Sequence, residues 1–243
     1  LMSNPIFSVG DELLAADLNG IATTFTVQVI TATGSWIKPA GCSRVMVDVV
    51  GGGGSGGGVG STGAGQSAQA AGGAGGGWAR KLFLASALAA SETVTIGAGG
   101  AGATSGANNG NSGGNSSFAT GKGYVVTANG GQQGNAGPAS AVFAVTTPGT
   151  GGSATGGDIN VSGSDGGPGN TQTTASGYLP GPINYGGASR FSGQARPAIA
   201  SGTGTAGKLY GGGSSGAVNQ GSGGSNQASL AGAAGVVVVY NYF

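Results

Sequence analysis

Histidine is missing from all 243 residues, and cysteine occurs once, at Cys42. Without imidazole there is no Ser-His-Asp triad, no histidine acid–base pair and no histidine metal site. One cysteine excludes an intramolecular disulfide and leaves no thiolate cluster for zinc or iron–sulfur, while the redox compartment stays open. Charge is nearly as scarce. Eight basic and seven acidic residues make up 6% of the chain, for a net charge of +1. They are dispersed, so there is no basic patch for nucleic acid. The longest apolar run, Val236 to Tyr240, is too short to cross a bilayer. The first twenty residues carry Asp11, Glu12 and Asp17 without Lys or Arg, which is not the pattern of a secretory signal. These absences predict a non-enzymatic protein with no cofactor and no metal site, neither inserted in a membrane nor bound to nucleic acid.

What the chain has instead is glycine, at 59 positions, with proline at 8. That much of the two residues without a strict repeat is usual in low-complexity or disordered chains. Disorder, however, goes with low hydrophobicity and high charge, and here charge is sparse and mean hydropathy is slightly positive, +0.11. The chain is therefore expected to fold.

Ordinary composition is confined to short segments. Residues 10–19 read as a helix with acids in its first turn, and Leu14, Leu18 and Ile21 form a narrow apolar stripe. So short a helix is marginal alone, so the stripe is expected to pack on a neighbour or on sister chains. Residues 24–30 and 43–50 alternate apolar with polar as strands do, with Val45, Val47 and Val49 on one face. Residues 235–243, Gly-Val-Val-Val-Val-Tyr-Asn-Tyr-Phe, are apolar on both faces, as in a central strand. Residues 91–96 give a fourth strand and 123–127 a fifth.

The remainder is glycine tracts. Gly51, Gly54, Gly57, Gly60 and Gly63 recur every third residue, as do Gly131, Gly134, Gly137 and Gly163, Gly166, Gly169. Period three is that of a left-handed extended helix without internal hydrogen bonds. Its N–H and C=O groups point outward and need partners, so such helices must bundle and bond laterally. The expected fold is mainly β: a small sandwich-like module from residues 24–50, 91–96 and 236–243 supporting a bundle of polyglycine-II-type helices. Residues 1–24 are expected to form an attachment or oligomerisation segment and 25–243 the glycine-rich domain.

Several motif matches carry no chemistry. Residues 53–57 and 212–216 fit G-x-S-x-G, but no histidine serves as base. Gly202 to Lys208 resembles a phosphate loop, yet Leu209 stands where Ser or Thr must reach magnesium. Asp158, Asn160, Ser162 and Gly163 imitate the start of a calcium loop, but Gly169 occupies the closing glutamate position and a solvated turn is the better reading. Trp36, Trp78, Phe83 and Phe118 read as core packing. One cluster stands out: Tyr178, Pro180, Tyr185, Arg190, Phe191 and Arg196 concentrate aromatics, proline and arginine in a bland tract. Rigid aromatics and arginine suit recognition surfaces, and a capping loop or subunit interface has the same composition.

The order of parts resembles a known family. Gly34-Ser35-Trp36-Ile37-Lys38-Pro39-Ala40-Gly41 precedes the valine strand and the run from Gly51, followed by Gly75-Gly76-Gly77-Trp78-Ala79-Arg80-Lys81. Val94-Thr95-Ile96-Gly97, Gly113-Gly114-Asn115-Ser116-Ser117-Phe118, Thr127-Ala128-Asn129-Gly130-Gly131 and the closing valine strand complete it. Over roughly residues 32–243 the chain resembles the glycine-rich domain at the C-terminal ends of bacteriophage tail fibres and related virion appendages. The resemblance implies a virion structural protein, trimeric, partnered by other virion proteins. It further implies loops that touch a bacterial surface receptor, a glycan or an outer-surface protein. A head-fibre or decoration protein with a purely structural role is the alternative. An ice-binding glycine-rich protein is a third, though the irregular spacing lacks its regular face of small residues.

Overall fold

The computed structural model of the protein describes residues 25–171 and 183–243. The expected helix over 10–19, with Leu14, Leu18 and Ile21, lies outside the described residues. In chain order the strands are β1 (Phe25–Ile30), β2 (Gly34–Ile37), β3 (Arg44–Val50), β4 (Ala68–Gln69), β5 (Trp78–Leu84), β6 (Ser91–Thr95) and β7 (Ser116–Ala119). There follow β8 (Val125–Ala128), β9 (Ala144–Thr146), β10 (Ala154–Thr155), β11 (Ile159–Val161), β12 (Gly169–Thr171), β13 (Val218–Asn219) and β14 (Val236–Tyr242). The fold is mainly β, as expected.

Ten of these strands form two five-stranded antiparallel sheets, β1-β14-β3-β5-β11 and β10-β8-β7-β6-β2. The C-terminal strand β14 lies between β1 and β3, and its valines are buried on both faces, Val237 and Val239 in the core between the sheets and Val236 and Val238 in a second cluster under Tyr210. Val45, Val47 and Val49 of β3 and Val237 and Val239 of β14 face the second sheet, where they meet Trp36, Val94, Phe118 and Val126 in one buried core. The Phe118 ring lies 5.8 Å from that of Trp36 and 6.0 Å from that of Phe83. Trp36, Trp78, Phe83 and Phe118 are all buried, as core packing requires. The sandwich is larger than the module expected from residues 24–50, 91–96 and 236–243, because β5, β7, β8, β10 and β11 join it. Those strands are short or, like β5, carry charge on successive residues.

Beyond the sandwich the glycine tracts run to and fro in register. Gly51, Gly54 and Gly57 donate their N–H groups to the carbonyls of Gly77, Ala74 and Ala71. Gly52, Ser55 and Gly58 donate to Gly114, Asn111 and Asn108, and Gly53 and Val59 to Ala233 and Gln227. Three successive residues thus bond three different neighbours before the pattern repeats, which is the threefold screw of polyglycine II. The carbonyls do the same. Gly131, Gly134 and Gly137 donate to Gly52, Ser55 and Gly58, while Ser214 and Ala217 donate to Gly54 and Gly57, and Gly100 to Gly53. Residues 51–59, buried throughout, are therefore ringed by six other segments.

A second central helix, residues 70–77, is bonded in the same way to segments around 51–57, 129–135, 149–152, 164–167, 187 and 211–217. Serine hydroxyls splice into this lattice where a direct backbone bond is missing: Gly56 N–H donates to Ser214 Oγ at 2.9 Å, and Ser229 Oγ donates to the Gly56 carbonyl at 2.5 Å. The lateral bonds that polyglycine helices require are made within one chain.

Candidate functional site

Each central helix leaves the sandwich at the end of a strand, so its turns fall at the opposite end of the bundle. Residues 51–59 continue β3 outward and 69–77 return into β5, and the turn between them lies at the far end. Hydrogen bonds knit this turn to others. Thr62 N–H donates to the Gly224 carbonyl and Ser67 N–H to Ser140, while Gly65 N–H reaches Ser222 Oγ. The Gly202–Val218 bridge and the β13–β4 pair bring the 199–203 turn to the same level. Gln69 Oε1, accepting from Asn170 N–H at 2.9 Å, ties in the β9–β12 ladder.

This far surface carries Ser, Thr, Asn and Gln among exposed apolar side chains. Phe143 and Ile199 are 64% and 73% exposed, and Val142 and Val145 beside them are also open. A cavity of about 490 Å³ opens along Arg196, Pro197, Ile199, Thr203 and Thr205. Arg196 is the single charged residue in the described turns 60–67, 104–107, 138–146, 196–203 and 220–226. The arrangement offers apolar contacts and neutral hydrogen-bonding groups rather than a field of one sign, and no acid–base pair.

The six residues expected to form a recognition cluster do not stay together. Tyr178 and Pro180 lie outside the described residues. Tyr185 is half-buried within the bundle, its carbonyl accepting Gly167 N–H at 2.7 Å. Arg190 and Phe191 sit in the turn against the sandwich, the Arg190 guanidinium 5.2 Å from the Trp78 ring centre. Arg196, exposed, lines the far-end cavity. Nearness in sequence failed as a guide because chain reversals carry Arg190 and Arg196 along opposite directions of the bundle. The open residues that sequence reasoning passed over, Val142, Phe143, Val145 and Ile199, had one signal: a short apolar run over 141–145 and a single isoleucine, each between glycine-rich stretches.

At the sandwich end the acids Asp48 and Asp158 are bonded within the chain. Asp48, fully buried on the outer face of the first sheet, accepts from Arg80 Nε at 2.7 Å and Nη2 at 2.6 Å, and from Trp78 Nε1 at 3.0 Å. The hydrogen bond to Asp48 raises the Arg80 pKa against the opposing effect of burial. Burial, and then the Asp48 charge, raise that of Tyr240. Asp158 takes the Leu82 N–H at 2.9 Å and Lys81 Nζ at 3.0 Å, and these bonds lower its pKa, the backbone bond most.

A family model described as a glycine-rich domain matches residues 27–242. No curated protein matches the chain at a significant level.

Proposed function

We propose, for a chain that belongs to the glycine-rich domain family, a non-catalytic role as a bacteriophage virion appendage whose far-end turns attach to a bacterial surface. One observation carries this reading: the turns of a stiff bundle gather at the end opposite the sandwich, with Val142, Phe143, Val145 and Ile199 exposed on them. A body in which backbone donors and acceptors saturate one another has little freedom to lose on binding, so its loops meet a ligand already ordered. Neutral amide and hydroxyl groups beside exposed aliphatic and aromatic surface fit a glycan or an uncharged patch of an outer-surface protein. Each contact is weak, and many copies on one particle multiply it.

The test is cell binding by the purified chain, with Phe143→Ser and Ile199→Ser combined. Both side chains are open to solvent, so the melting temperature stays within about 1 °C, as for ordinary surface substitutions. Binding is expected to fall at least about tenfold, equivalent to 1.4 kcal/mol. Binding that survives the double variant rules out these turns as the contact. No binding at all, with normal incorporation into particles, makes the chain a structural decoration.

A further inference from the structure

Where the polyglycine lattice gives way to the first sheet, two neighbouring segments part. Ser164 and Ala188 still bond each other, Ser164 N–H donating to the Ala188 carbonyl at 2.9 Å and Ala188 N–H to Ser164 Oγ at 2.6 Å. Past them, Val161 joins β11 opposite Trp78, while residues 189–193 turn aside, Ser189 N–H donating to Ser192 Oγ at 3.0 Å. The gap between the segments is a cavity of about 310 Å³, lined by Gly76 and Trp78 and, from the two parting segments, by Ser162 and Arg190.

The charges around this cavity do not balance. Arg190 and Arg80 hold their guanidinium groups 5.2 Å and 5.4 Å from the centre of the same Trp78 ring. One carboxylate serves them, Asp48, and it is spent on Arg80 Nε and Nη2 and on Trp78 Nε1. Lys208 adds a third cation, its Nζ 4.0 Å from where a Cβ on Gly193 would stand, in the turn that carries Arg190. The acids flanking residues 159–164 are engaged as well. Asp158 binds Leu82 N–H and Lys81, and Asp165 accepts Gly151 N–H at 2.8 Å, on another side of the helix from Ser164 and Ala188. Among the described residues neither Arg190 nor Lys208 has an ion-pair partner.

We infer that this junction cavity binds a small carboxylate-bearing ligand, with Arg190 as its anchor. A guanidinium presents a planar fork that matches a carboxylate with two parallel hydrogen bonds. Contact with the indole face holds that fork in place, so little freedom is lost when the ligand arrives. The volume lies at the lower end of the range for ligand pockets, about 300–1,000 Å³, which suits a single sugar residue or a small acid rather than a peptide. Ser162 and Ser189 supply hydroxyl groups and Val161 an apolar edge. Two sources carry this chemistry, an acidic sugar and a simple organic acid. The site lies at the opposite end of the bundle from the exposed turns of Val142, Phe143 and Ile199, and it does not rest on their binding cells.

Nuclear magnetic resonance titration of the full chain tests it, because the protein has only two tryptophans. Trp78 Nε1–H reports on the cavity, and Trp36 Nε1–H, buried in the core between the sheets, is the internal control. Glucuronate, acetate and glucose are added separately at constant ionic strength. Glucuronate is expected to move the Trp78 signal saturably and leave that of Trp36 in place, while glucose moves neither. Tighter binding of glucuronate than of acetate assigns the site to acidic sugars, and equal binding assigns it to simple acids; both support a carboxylate site. Arg190→Gln should weaken binding at least about tenfold, the scale of a charged hydrogen bond, with the Trp36 signal unchanged as evidence of the fold. Arg190→Lys, which keeps the charge and loses the fork, should fall between the two. Combined Phe143→Ser and Ile199→Ser should leave the Trp78 response intact even where cell binding is lost. A Trp78 signal that neither acid moves, that glucose moves equally, or that responds as before in Arg190→Gln overturns the inference.

Discussion

Gly54 shows what glycine does in the bundle. A Cβ there would stand 2.1 Å from the Gln132 carbonyl oxygen, a backbone atom held by its own hydrogen bonds. Two helices of the lattice approach so closely that a methyl group must push one of them aside. Gly221, in a far-end turn, has nothing within 4 Å of the same position. Gly54→Ala is expected to cost about 3 kcal/mol or more, through overpacking, and to lower the melting temperature by about 6 °C or more. Gly221→Ala should stay within about 0.5 kcal/mol of wild type. Equal melting temperatures for the two variants would contradict the close-packed lattice. The spacing of Gly51, Gly54 and Gly57 was readable in the sequence, and it has a physical basis: all three donate to the same returning segment. Gly60 and Gly63 continue the spacing but not the arrangement, since Gly60 bonds Gly137 and Gly63 bonds the side chain of Gln66. Counting glycines could not find that end, because the bundle stops where its neighbours turn.

Among the elements, β11 is held to β5 by its backbone ladder and by one acid beside it. Asp158 stands just before this three-residue edge strand and binds Leu82 N–H and Lys81 Nζ of β5. Its folded pKa lies below the ordinary 3.8, chiefly through the Leu82 bond. The unfolded chain therefore takes up the proton first as pH falls. The stabilisation is complete above about pH 3.8, and it disappears as acid titrates the folded group below that value. Half-exposed, Asp158 contributes modestly. Nuclear magnetic resonance titration should give a carboxyl midpoint under 3.8, with the Leu82 amide shift following it and Asp158→Asn abolishing the dependence. A midpoint at or above 3.8 contradicts the clip. Strands β1, β3, β6 and β14 were legible because one face alternates or both are apolar. β5 was not: Arg80 and Lys81 place charge on opposite faces, and only the tertiary fold supplies Asp48 and Asp158 to receive them.

For the whole molecule, sandwich and bundle share their chain at every junction: β3 continues into residues 51–59, and residues 69–77 into β5. A polyglycine helix without its neighbours exposes every backbone group and loses no less entropy than any glycine segment. The bundle is therefore expected to melt with the sandwich in one transition, with calorimetric and van't Hoff enthalpies equal. Two separated transitions would show that the bundle stands alone. The sequence by itself determined the mainly β character, the period-three helices and the exclusion of histidine chemistry and of an intramolecular disulfide, since those follow from residue type and short-range spacing. Tertiary structure alone decided which helix lies beside which and where Arg190 parts company with Arg196. Glycine backbones are nearly identical as donors and acceptors, so each helix can bond any other. The choice among neighbours falls to strand connections and to the few serines, alanines and valines that interrupt the tracts.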